Sequence, residues 1–217
     1  MKINPTMVDC IHSANICVPT REIWMHGVPR TADSDYDLEE TGVDYTLAAQ
    51  MIKNLSILMK TSMSEPIIIY SSVCGGDAPA GFAIYDMVKS CPFHVTIIGL
   101  MHVRSMSSII FQAADKRIMM ENAYFLFHYG TESNDTESQA FISGAEFSKK
   151  QNKTMIDIYV DSIQRAKTEK FEGKTDKQIA TYLKKRMGER TDVYLTAEEA
   201  VVWGLADAVF TEWKDYR

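Results

Sequence analysis

The sequence predicts an α/β domain, and three observations predict it. Short aliphatic or aromatic runs, Ile67–Tyr70, His94–Leu100 and Tyr124–Phe127, have the length and composition of buried strands. Between such runs lie stretches of helical period: Val43, Leu47, Met51, Leu55 and Leu58 recur at spacings of three and four. Strand and helix alternate in short units rather than in separate blocks, the pattern of a layered α/β fold. The chain has 217 residues, 46% of them hydrophobic and 24% charged. That is enough for one domain with a substantial core, and too apolar for a disordered chain.

The elements follow in order. Residues 1–20 mix apolar and polar side chains without a clear period, and Pro5 and Pro19 interrupt them. Residues 21–27 read as a short strand, and 28–42 as a loop with an acidic stretch from Asp33 to Glu40. Residues 44–61 form a helix, followed by the strand Ile67–Tyr70. A loop from Ser71 to Pro79 contains Gly75 and Gly76 and leads into a helix that runs through Lys89. Pro92 precedes the strand His94–Leu100, and 104–114 has helical character. Arg117–Met120 and Tyr124–Phe127 are two further strands. A polar loop, Tyr129 to Thr136, opens a long helical region from about 137 to 168. Gly173 ends it and 176–187 is another helix. Tyr194 and Leu195 form a short strand. Thr196 with Glu199 matches the capping-box pattern of a helix start, Gly204 fits its end, and Asp207–Phe210 is the last strand. One domain therefore spans 1–217.

Charge and composition exclude several function classes. The net charge is −6, and the best basic run, Lys184 to Arg186, reads as a solvated helix face, so no nucleic-acid partner is expected. The four cysteines, Cys10, Cys17, Cys74 and Cys91, show no Cys-x-x-Cys spacing, which argues against a zinc site or disulfide framework and fits a reducing cytoplasm. No apolar run reaches the ~18 residues of a membrane span, and the first eight residues lack the layout of a signal peptide.

Four positions carry chemical interest, each with a plainer alternative. Gly75 and Gly76, after a buried strand, suit an anion or oxyanion pocket or a tight strand-to-helix turn. A P-loop is excluded because Phe82 follows Gly81. Ser105 lies where a strand passes into a helix. That is a setting for a nucleophile whose intermediate is an oxyanion, and equally for an ordinary N-cap. The hydrolase elbow Gly-x-Ser-x-Gly is excluded, since Val103 and Ser107 flank this serine. His128 ends an apolar strand, as a general base or a structural histidine, with His102 as a rival close to Ser105. Asp192 precedes a short strand and can orient an imidazole or simply occupy a turn. Cys74 is a competing nucleophile, ranked below Ser105.

In combination these features resemble a known family. Gly75-Gly76 after a strand, Ile84-Tyr85-Asp86, Ser105-Met106 at a helix start, and Asn122 to His128 come in the order found in the proteolytic subunit of the Clp protease. Asp192 before Thr196-Ala-Glu-Glu-Ala200, and Trp203-Gly-Leu-Ala-Asp207, complete the series. The resemblance covers roughly 21–27 and 43–212. It implies a Clp/crotonase-type spiral of β-β-α units with a protruding handle helix, the handle region being about 137–190. It implies a Ser-His-Asp triad on Ser105, His128 and Asp192, with the N–H groups of Gly76 and Met106 as oxyanion hole. It also implies a cytoplasmic serine endopeptidase without cofactor or metal. Its substrates are unfolded polypeptides or peptides, its subunits form stacked heptameric rings, and its partner is an AAA+ unfoldase.

The sequence departs from the family at Met101-His-Val-Arg104, where small residues are usual, at Asp77, at Tyr129-Gly130, and at Thr191 in place of an arginine used between rings. Residues 28–42 and about 167–174 look like insertions. Two other readings, an inactive ring subunit and a crotonase-fold enzyme acting on acyl-CoA, are disfavoured because all three triad positions are filled. Along 137–168, Phe141, Ile142, Phe147, Met155, Ile156, Tyr159 and Ile163 predict an apolar surface that an identical handle of a second ring covers, so a charge at Met155 or Tyr159 is expected to split the rings.

Overall fold

A computed structural model describes residues 4–26, 42–61, 64–130 and 137–213. The acidic stretch Asp33 to Glu40 and most of the polar loop before the long helix lie outside the described residues. In chain order the elements are α1 (Pro5–Ala14), β1 (Ile16–Cys17), β2 (Glu22–Met25), α2 (Tyr45–Lys60), β3 (Ile67–Ser71), α3 (Ala78–Lys89), β4 (Val95–Gly99), β5 (His102–Arg104) and α4 (Met106–Phe111). There follow β6 (Lys116–Met119), β7 (Tyr124–Phe127), α5 (Ser138–Ala166), a 3-10 turn at Glu169–Phe171, α6 (Asp176–Arg190), β8 (Val193–Thr196), α7 (Ala197–Val202) and β9 (Ala208–Val209).

Among the described residues the strands form two sheets. Six run in the order β1-β2-β3-β4-β6-β9, all parallel except the β1–β2 edge. Three form a small sheet, β5-β7-β8, with β5 parallel and β8 antiparallel to β7. The chain thus repeats a unit of one strand in the large sheet, one in the small sheet and a helix: β4-β5-α4, then β6-β7-α5. This is the expected spiral of β-β-α units.

The continuous apolar runs of β3 and β4 are explained by burial on both faces. Ile67, Ile69, Val95 and Ile97 join Leu55, Leu58, Ile84 and Val88 of α2 and α3 in the main core. Ile68, Tyr70 and Ile98 alternate to the opposite face, where they form a smaller cluster with Ile118, Trp24 and Phe210. The capping box holds as well: Glu199 N–H donates to Thr196 Oγ1 at 3.1 Å, and Thr196 N–H to Glu199 Oε2 at 2.9 Å.

Two expectations need correction, and a segment without a clear period in the sequence turns out regular. Residues 5–14 are helical, with Asn4 as N-cap and Met7 as the only buried side chain of α1. So shallow a contact leaves no apolar stripe in the sequence. The helix placed at 104–114 is only Met106–Phe111, and the three residues before Ser105 are the strand β5. Two of those three are His102 and Arg104, so no apolar alternation marks the strand; pairing with β7 creates it. The apolar stripe of α5 is divided between two roles. From Ser138 to Thr154 no residue is buried, and Phe141, Ile142 and Phe147 are each about half exposed or more. Met155, Ile156, Tyr159 and Ile163 are buried in the chain's own core. A charge at Met155 or Tyr159 therefore damages the fold itself rather than a ring contact.

The C-terminal strand is tied to the large sheet by Arg117, which is fully buried. Its Nε and Nη2 donate to the two carboxylate oxygens of Asp207 at 3.1 and 2.5 Å, and its Nη1 donates to Gln112 Oε1 and the Gly204 carbonyl. Partial burial pushes the Asp207 carboxyl up, but the hydrogen bonds and charge of Arg117 outweigh this and hold it below its ordinary value. A carboxylate depressed in the folded state adds stability above its unfolded pKa and loses it as pH falls through the folded pKa. Asp207→Asn should therefore destabilise the neutral protein by about 3–5 kcal/mol, by leaving a buried guanidinium uncompensated. It should also flatten the acid side of the stability profile. Urea unfolding across pH measures both.

Candidate active site

The three-stranded sheet determines where the predicted residues meet. Arg104 pairs with Leu126 across β5–β7, and Phe127 with Val193 across β7–β8. One residue further, Ser105 leaves β5, His128 leaves β7 and Asp192 enters β8. Because β7 is the central strand, His128 lies between the other two. Its Nε2 is 2.7 Å from Ser105 Oγ and its Nδ1 is 2.9 Å from Asp192 Oδ1. The imidazole is mostly covered, while the Asp192 carboxylate stays substantially open to solvent.

Ser105 has φ 52° and ψ −128°, a conformation that a residue with a Cβ rarely adopts. Such backbone persists only where neighbours hold it, and it clusters at functional sites. Here it is a sharp strand-to-helix turn without flanking glycines. The Ser105 N–H continues the ladder to the Leu126 carbonyl at 3.0 Å. The next two serines close the turn. Ser107 Oγ accepts from the Arg104 N–H and donates to the Arg104 carbonyl, and Ser108 Oγ donates to the Ser105 carbonyl. Sequence reading passed over Ser107 and Ser108, although the run Ser105-Met-Ser-Ser108 is their signal.

The glycine pair has two separate tasks. A Cβ on Gly75 would stand 2.2 Å from Ser105 Cβ and 2.8 Å from the Met106 nitrogen, so Gly75 is the space that Ser105 occupies. Gly76 is bridged to Val43: the Val43 N–H donates to the Gly75 carbonyl at 3.0 Å and the Asp77 N–H to the Val43 carbonyl at 2.8 Å. Val43 takes both bonds of that parallel bridge, so the N–H of Gly76 itself faces the other side. Met106, with its side chain buried against Gly81, is the first residue of α4, and its N–H has no acceptor within its own helix. Asp77 caps α3 by accepting from the Ala80 N–H at 2.8 Å.

His102 is buried and stacked on Tyr124, with ring centroids 5.7 Å apart, and burial lowers its pKa. Burial raises the pKa of the Cys74 thiol, which disfavours the thiolate. Among the described residues no group of three or more His, Cys, Asp or Glu side chains is arranged to hold a metal ion.

The Clp protease family model matches residues 38–213. The chain belongs to the Clp protease family. Among curated Clp relatives, the ATP-dependent Clp protease proteolytic subunit 2 of Treponema denticola is 32% identical over 180 residues, covering 80% of each chain. The corresponding subunit 1 of Streptomyces avermitilis is 29% identical, over 82% of this chain and 76% of its own. Among solved structures, a ClpP1 point mutant from Listeria monocytogenes superposes with a TM-score of 0.69 at 19% identity. That match covers 92% of this chain and 96% of the other, so the fold of the Clp proteolytic subunit is the fold of this chain.

Gly75→Ala should push Ser105 away from His128, because a Cβ cannot share that space. The expected cost of such overpacking is about 1–3 kcal/mol, with both sheets retained. A crystal structure of the variant checks it, and a Ser105–His128 contact still at 2.7 Å would contradict the packing argument.

Proposed function

We propose that the chain is a serine endopeptidase of the Clp type, with Ser105 as nucleophile, His128 as general base and Asp192 as the group that orients the imidazole. One observation carries this reading: the continuous hydrogen-bonded chain from Ser105 Oγ through both nitrogens of His128 to Asp192. Asp192 accepts a hydrogen bond from His128 Nδ1–H, which leaves the unprotonated Nε2 to take the proton of Ser105 as Oγ attacks the scissile carbonyl. The same nitrogen then protonates the leaving amine; in the second half it takes a proton from the water that attacks the acyl-enzyme and gives it to Ser105 Oγ as the ester bond breaks. The N–H groups of Gly76 and Met106 receive the oxyanion. Each such donor is worth about 3–4 kcal/mol of transition-state stabilisation. These steps call for no cofactor.

Substrates on this reading are peptides and unfolded polypeptides in the cytoplasm. The relatives' names, which specify ATP dependence, support an AAA+ unfoldase as partner. The half-exposed Phe141, Ile142 and Phe147 support assembly of stacked heptameric rings, since a self-complementary contact between two handles would cover them. The net charge of −6 gives no support to a nucleic-acid partner, and no described helix is long and apolar enough to cross a membrane.

Ser105→Ala should reduce the kcat of a fluorogenic peptide on the order of 10⁶-fold, while Cys74→Ala keeps most of it. Comparable losses in both variants, or a loss only at Cys74, would assign the chemistry elsewhere. Phe147→Glu should split the assembly, because a charge replaces an apolar contact while the core residues from Met155 onward stay intact. Sedimentation velocity resolves this: the expected result is a smaller species with an unchanged circular dichroism spectrum.

A further inference from the structure

A run of two hydroxyl groups, those of Tyr159 and Ser108, ends on the carbonyl of Ser105. Tyr159 lies in the buried half of α5, 1% exposed, with its ring 6.3 and 5.6 Å from those of Phe125 and Phe127. Its hydroxyl is 2.6 Å from Ser108 Oγ, and Ser108 Oγ is 2.6 Å from the Ser105 carbonyl oxygen. A serine hydroxyl has one proton, and Ser108 gives it to that carbonyl. Tyr159 must therefore be the donor in the other contact. Burial raises the phenol pKa, so Tyr159 keeps the proton that this role needs. The Ser108 N–H also donates to the Ser105 carbonyl, at 3.0 Å.

The peptide unit that holds this carbonyl also holds the Met106 N–H. The unit is planar and trans, so its C=O and N–H point in opposite directions. Fixing the carbonyl on the α5 side fixes the direction of the N–H on the other. The need is specific, because a serine at φ 52° and ψ −128° does not rest in that conformation unaided. Phenylalanine and alanine would fill nearly the same space as Tyr159 and Ser108 without burying two hydroxyls, so packing alone does not account for the pair.

We propose that Tyr159 and Ser108 are positioning residues: they orient the Ser105–Met106 peptide so that the Met106 N–H meets the oxyanion formed at Ser105. The proposal rests on the serine-peptidase reading above. Neither side chain touches substrate; both act through the nucleophile's backbone.

The test uses the full chain as wild type, Tyr159→Phe, Ser108→Ala and the double variant. Each is measured for Tm, for hydrolysis of a fluorogenic peptide across pH, and for inhibition by a peptide boronate whose tetrahedral adduct carries an oxygen in the oxyanion position. Tyr159→Phe should lower kcat about tenfold with KM unchanged, less than the loss of a whole oxyanion donor, and should weaken the boronate by a similar factor. The pH midpoint should not move, because the contacts of His128 are untouched. Ser108→Ala leaves the Tyr159 hydroxyl buried and unpaired, so its Tm should fall furthest. Adding Tyr159→Phe should restore Tm while kcat stays low. If kcat recovers together with Tm in the double variant, the pair is only structural and the proposal is overturned. A shifted pH midpoint would overturn it too, by moving the effect to His128. Wild-type protein that neither cleaves the peptide nor binds the boronate would sink the peptidase reading itself, and the proposal with it.

Discussion

The candidate site depends on the register of the small sheet β5-β7-β8. The pairs Arg104–Leu126 and Phe127–Val193 bring the ends of β5 and β7 and the start of β8 to one edge. A slip of one residue on β7 would turn its side chains to the opposite face and remove His128 from both partners. The register is held from below by the core. Phe125 and Phe127 point inward against Tyr159, and Phe127 also against Trp203, so the alternate residues of β7 are anchored while His128, just past its end, faces the site. Apolar burial fixes the strand, and the strand fixes the polar geometry.

A second constraint comes from the large sheet. β3 ends at Ser71, and the loop after it must bring Gly75 against Ser105 and hold Gly76 by its bridge to Val43. The glycines are required by contact, since at either position a Cβ would stand 2.2 Å from a neighbouring atom. α5 performs two tasks at its two ends: one half closes the core and reaches Ser108, and the other presents apolar side chains to solvent. A single amphipathic count over the helix cannot separate these tasks.

The legible parts of the sequence were those with a local physical signature. β3 and β4 are apolar on both faces, α2 has an unbroken period, and Thr196 with Glu199 is a reciprocal cap, so each declares itself. The site was legible only in part. Ser105, His128 and Asp192 each had an ordinary alternative, and their order along the chain joined them through resemblance to a family. Their hydrogen bonds cross sequence separations of 23 and 64 residues, which no local pattern encodes. β5 was hidden because two of its three residues are polar, and α1 because it buries a single side chain. The backbone conformation of Ser105 and the role of Ser108 beneath it follow from contacts with β7 and α5 that exist only in the folded chain.

The central claim is that Ser105 is a nucleophile activated by His128. Treatment of the purified protein with a fluorophosphonate, followed by intact-mass measurement and peptide mapping, tests it most directly. The account predicts one adduct per chain, on Ser105, and none when His128 is replaced by alanine. An unmodified protein under conditions where it is folded, or an adduct on any other residue, would contradict it.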